Sequence, residues 1–162
     1  MKFHTQLACS VLAAVLVASS ATAGLLNSPA PDLGNAERAT VVYRMGPIHY
    51  EPGGWVNTTI TCTNLATSSA TVGLEIFDEE DNLTGRIAKA TVAAGATVTF
   101  ATSADTNVAG AVTVSQLPPL DHGKARISAS TIQLSCTALN HLRASDGTIK
   151  EAALELIKKV AY

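Results

Sequence analysis

Along this chain apolar residues recur at every second position in short runs, and clusters of glycine, proline and small polar residues separate the runs. Alternation of this kind predicts half-buried strands. "ATVVYR" (39–44) is the first, followed by a predicted loop, "MGPIHYEPGG". In "WVNTTITCTNL" (55–65) Val56, Thr58, Ile60 and Cys62 share one face, and in "ATVGLEIFD" Val72, Leu74 and Ile76 do the same. The acidic stretch "DEEDNLTG" reads as a hairpin turn between that strand and "RIAKATV". "TVTFAT" and "AGAVTVSQL" continue the pattern, and Pro118 and Pro119 close the latter. The long run "KARISASTIQLSCTAL" alternates Ile127 with Ala129 and then changes parity to Ile132, Leu134 and Cys136, a switch that a bulge near Ser130 would produce. Strands in this number without intervening helices predict an all-β fold: one antiparallel β-sandwich over residues 39–162, with residues 24–38 as an irregular N-terminal lead. Residues 149–160 are ambiguous, because "GTIKEAALELIKKVAY" carries strong helix formers yet "LELI" would serve as a strand covering a sheet edge.

The first residues change the picture. Lys2, the apolar run Leu7–Ala18 and small residues at Ala21 and Ala23 have the layout of a secretory signal peptide over 1–23, cleaved after Ala23, and the run is too short to span a bilayer. The expected location is therefore exported, periplasmic or extracellular, and no transmembrane segment is expected in the mature chain. Eleven basic against thirteen acidic residues give a net charge of −2, which excludes a phosphate-tracking surface, so no nucleic-acid partner is expected.

Removal of the leader takes Cys9 with it and leaves Cys62 and Cys136, each in a Thr-, Ile- and Leu-rich strand context. In an oxidising compartment the two are expected to form one inter-strand disulfide. Two buried free thiols are the alternative, and a metal site lacks the ligand spacing that cysteine sites use.

Candidate chemistry is sparse. The chain lacks G-x-S-x-G, H-E-x-x-H and Walker-type loops, and no catalytic, cofactor or metal set is predicted. Asp121 and His122 are adjacent in a proline-glycine context, where a solvated turn is the plain reading and a hydrolytic pair the sharper one. His49, His122 and His141 fall in predicted loops without metal-ligand spacing. "DEEDNLTG" lacks the glycine and terminal glutamate of an EF-hand loop.

With the strands laid out, "TTITCTNL", "ATVGLEIFDEEDN", "TVAAGATVTFAT" and "GKARISASTIQLSCTAL" give the chain a resemblance to small exported bacterial β-sandwich proteins of uncharacterised function. The resemblance implies a cystine between the C-T-N strand and the late cysteine strand, and a closing strand similar to "ALELIKK". It implies no activity. Immunoglobulin domains are matched in architecture only, because Trp55 precedes the first cysteine and Leu134 stands where the corner tyrosine would be.

Tyr50 and Trp55, in the predicted loop "MGPIHYEPGGWV", form a possible contact surface for a partner, with Trp55 as a cap on the open end of the sandwich the structural alternative. The expected function is an exported non-catalytic binding or accessory domain whose partner is another envelope or extracellular protein. The alternatives are an assembly subunit pairing through sheet edges and, third, a small hydrolase.

Overall fold

The computed structural model describes residues 28–34, 39–53, 55–104 and 108–158; the expected signal peptide lies outside them. Among the described residues there is no helix, and none long and apolar enough to cross a membrane. Ten strands run in chain order: β1 (Thr40–Tyr50), β2 (Val56–Asn64), β3 (Ala70–Phe77), β4 (Leu83–Val92), β5 (Thr97–Ala101), β6 (Val112–Thr113), β7 (Leu120–Ala129), β8 (Leu134–Arg143), β9 (Ile149–Ala153) and β10 (Leu156–Lys158). They form two five-stranded sheets, β10-β1-β7-β3-β4 (sheet A) and β6-β5-β2-β8-β9 (sheet B). All pairings are antiparallel except the two-residue β6 against β5.

The core lies between the inner faces predicted by the alternation. Val72, Leu74 and Ile76 of β3 and Ala125, Ile127 and Ala129 of β7 meet Ile60 and Cys62 of β2, Phe100 of β5 and Leu134 and Ala138 of β8. Tyr43 spans the two layers, its buried hydroxyl donating to the Leu134 carbonyl at 2.8 Å. Cys62 and Cys136 are joined, directly opposite each other on β2 and β8 with Cα atoms 4.1 Å apart. The cystine thus ties neighbouring strands of one sheet, and the sheets are linked to each other by packing and by side-chain hydrogen bonds, that of Tyr43 among them. On the outer face of sheet B the hydroxyls of Thr61 and Thr99, and of Thr63 and Thr97, pair across β2 and β5 at 3.0 and 2.9 Å, as β-branched residues on a pleated surface do.

Two sequence expectations are corrected, and a third, left open between helix and strand, is decided for strand. The segment "MGPIHY" is strand rather than loop: β1 runs to Tyr50, with register shifts against β7 between Met45 and Ile48 and between Ile48 and Tyr50. The irregularity accommodates Pro47, which a regular ladder would reject, and Ile48, fully buried, anchors the chain beyond it. Second, the parity change near Ser130 is a change of sheet rather than a bulge. β7 ends in sheet A at Ala129 and β8 begins in sheet B at Leu134, with Ile132 exposed in the connection. Third, residues 149–158 are strand, split in two: β9 extends sheet B beside β8, and β10 extends sheet A beside β1. Leu154, between them, packs on the core and donates its amide to the Ala138 carbonyl.

Candidate functional site

Beyond the end of the core, β9 follows β8 as an edge strand, and all five of its residues are exposed. A groove of about 280 Å³ opens here, lined by His49 of β1, Val56 of β2, Asn140, His141 and Leu142 of β8, and Lys150, Glu151 and Ala152 of β9. Val56 and Leu142 are cross-strand partners, as are Leu142 and Lys150 and also Asn140 and Ala152. Register places these side chains on one face, the one that carries the core further along β8. Leu142, 48% exposed, is the apolar residue that face leaves uncovered.

Polar groups at the inner end of the groove are fixed by hydrogen bonds. The His49 amide donates to the Thr58 hydroxyl at 3.0 Å, and the Thr58 Oγ1 lies 2.6 Å from the Asn140 Oδ1, to which it donates. Asn140 Nδ2 donates to the Pro47 carbonyl at 3.3 Å, and the Thr58 amide donates to Thr102 Oγ1 at 2.8 Å. Buried Thr58 is therefore satisfied, and the His49 backbone is tied to β2 of the opposite sheet and to Thr102.

The His49 imidazole is held below the ordinary histidine range, first by burial and then by repulsion from His122, against which Asp121 acts in the opposite sense. The His122 ring meets it edge-on at 5.8 Å and lies 3.7 Å from Glu79. A depressed folded value means that the unfolded chain takes up the proton first. Stability is then expected to fall as pH drops below about 6.5, the ordinary imidazole value, and to level once the folded imidazole is also protonated. Thermal melts of wild type and His49→Gln between pH 8 and 4.5 should diverge in that window; parallel curves would show that His49 is not the group responsible.

Sequence reasoning missed one constellation. His141 Nε2 lies 2.7 Å from the Thr59 hydroxyl, and Nδ1 lies 3.2 Å from a Glu151 carboxylate oxygen. Hydroxyl, imidazole and carboxylate in that order have the connectivity of a hydrolytic triad. The setting does not complete it, since Thr59 is a buried residue of a central strand laddered to Ala101 on one side and Leu139 on the other. Its backbone amide belongs to the sheet and is not turned toward a developing oxyanion. The arrangement is a cross-strand polar ladder on the outer face of sheet B, with the His141 ring directed away from the face that carries Leu142 and Ala152. Only register brings the three together, and the one cue in the sequence was polar residues recurring on like faces of separate strands.

The predicted site residues differ in burial. Tyr50 ends β1 and is partly buried against the core, whereas Trp55 stands before β2, 47% exposed, its ring close to Gly53. The exposure of Trp55 is not that of a buried cap. Trp55→Ala is expected to lower stability by less than about 1 kcal/mol in urea unfolding, as surface substitutions do; a loss of about 3 kcal/mol would restore the cap reading. Asp121 and His122 lie exposed at the start of β7, a strand rather than the predicted loop. His141, also predicted in a loop, lies in β8. Among the described residues no three His, Cys, Asp or Glu side chains converge as metal ligands. Comparison with known proteins finds no matching family model, curated protein or solved structure.

Proposed function

We propose that the protein is an exported, non-catalytic binding domain that receives an apolar side chain of a partner protein in the groove between the end of β1 and the β8–β9 hairpin. The observation that carries this reading is the groove itself: Val56, Leu142 and Ala152 supply an apolar wall, and His49 and Lys150 supply donors at its margin. Its volume of about 280 Å³ is below the range of sites that engulf a whole small molecule. It suits one protruding side chain of a larger ligand. Partly desolvated His49, neutral at pH 7, keeps the site apolar there and would oppose an apolar guest once protonated.

N-acetyl-leucinamide and N-acetyl-tryptophanamide serve as probes in an NMR titration. Saturable shifts confined to His49, Val56, Leu142 and Ala152, and lost in Ala152→Trp, are the expected result. Shifts that do not saturate, or that persist in the filled variant, would remove the groove as a binding site. Assembly through a sheet edge is the second reading, motivated by the exposed β9. That strand is only five residues long and carries Lys150 and Glu151, two features that blunt an edge. A mass independent of concentration from 1 to 500 μM would exclude edge assembly.

A further inference from the structure

The outer face of a sandwich sheet ordinarily meets water, yet all eight residues of β3 are buried. Thr71, Gly73, Glu75 and Phe77 point away from the core by alternation, and register sets Ser128 beside Gly73 and Arg126 beside Glu75. Part of their cover is the lead, residues 28–34. It has no regular structure, as its prolines predict, but it is not solvated: Leu33 is buried over Gly73. A Cβ at position 73 would stand 2.5 Å from Leu33 Cδ2, while the nearest atom outside Leu33 is the Ala88 carbonyl oxygen at 3.8 Å. The glycine leaves a socket, and Leu33 occupies it.

Along the same face Arg126 grips the chain itself. Its Nε and Nη2 donate to the two Glu75 carboxylate oxygens at 2.6 and 2.9 Å. Nη1 donates to the Ser28 carbonyl at 2.8 Å and to the Ser28 hydroxyl at 3.3 Å, and Nη2 reaches the Pro29 carbonyl at 3.4 Å. The guanidinium lies over the Phe77 ring at 5.2 Å. A buried ion pair is weak evidence of stabilisation in itself; here Glu75 orients a cation whose far edge reads two successive main-chain carbonyls. Pro29 and Pro31 have no amide hydrogen and favour an extended chain. A segment of that kind offers its carbonyls without using them in turns of its own. Backbone recognition plus one apolar anchor is the logic of peptide-binding grooves.

We propose that the outer face of sheet A is a peptide-binding site for an extended, proline-bearing segment with a leucine anchor, held in cis by residues 28–34 and open in trans to the same segment of a second copy. A second copy brings identical contacts, so exchange between copies replaces each interaction with its equivalent. This site is separate from the β8–β9 groove and stands or falls independently of it.

Two full-chain variants test the proposal. Leu33→Asp removes the anchor and leaves its own socket open. Gly73→Val fills the socket and frees its own segment, with a residue that favours strand structure. Each alone should be monomeric by light scattering, and an equimolar mixture should form a 1:1 dimer of twice the mass. A mixture that stays monomeric while both variants keep wild-type circular dichroism and the cystine would overturn the proposal. Should either variant fail to fold, a protease sequence inserted between Gly34 and Ala39 provides a second measurement. After cleavage, an isotope-labelled peptide of residues 28–34 should exchange saturably onto the folded body. A body that unfolds when the segment leaves, or that stays folded and takes up no peptide, would also overturn it.

Discussion

Glu75→Leu is expected to destabilise the domain by about 3–5 kcal/mol, the range for removing one partner of a buried ion pair. The side chains of Arg126 and Glu75 are 2% and 4% exposed, so the substitution removes a carboxylate that a buried guanidinium meets with two donors. The Ser28 and Pro29 oxygens remain, but neutral acceptors do not balance the charge as the carboxylate does. In the double variant Glu75→Leu/Arg126→Met neither charge is left to desolvate, and most of the loss should return, because two apolar side chains of similar length can fill the same space. Urea unfolding of the single and double variants, with unchanged slope, gives the comparison. A cost below about 1 kcal/mol for the single change would mean that water reaches the pair in solution.

Loss of the cystine is the second large effect. Cys62 and Cys136 are 74 residues apart in the chain, and opening a loop of that size costs roughly 4 kcal/mol in the chain-entropy model, within an observed range of about 2–5. Because Cys62 faces the core and is fully buried, Cys62→Ala also thins the packing beside Ile60 and Phe100. The melting temperature should fall by roughly 10 °C for a domain of this size. Cys62→Ala/Cys136→Ala and reduced wild type should melt together, well below oxidised wild type. If all three coincide, the bridge adds nothing to β2–β8 pairing, which nine register positions already secure.

The inner faces were legible because burial there follows local alternation: Val72, Leu74 and Ile76 announce it, and so does the pairing of two cysteines in similar strands. Illegible features depend on what distant segments cover. Thr71 and Glu75 carry the letters of a solvated face yet are buried, Glu75 against an Arg126 that also holds Ser28 of the lead. Gly46–Pro47 and the aromatics around it have loop composition, and a break in the ladder let the strand pass through them. The helix formers of 149–158 became two strands because each found an unpaired neighbour, β8 for one and β1 for the other, and tertiary pairing outweighs propensities of a few tenths of a kcal/mol per residue. For the groove, the sequence marks His49 and His141 only as loop histidines and Val56 only as a core-facing position, and nothing in it singles out Leu142 or Ala152. Their exposure results from where sheet A stops, and no residue pattern reports that.

The pairing of β1 also bears on the order in which the polypeptide acquires structure. Tyr43 finds its sheet neighbours at Ile127 and Lys158, and Ile60 finds one of its own at Ala138. The two earliest strands thus wait for the last third of the chain before either sheet can close. Contacts of such long range place refolding among slow β topologies, in milliseconds to seconds rather than microseconds. Until β7 and β8 emerge from the ribosome, β1 and β2 have few native partners. A nascent chain of this topology can complete neither sheet until most of it has been synthesised.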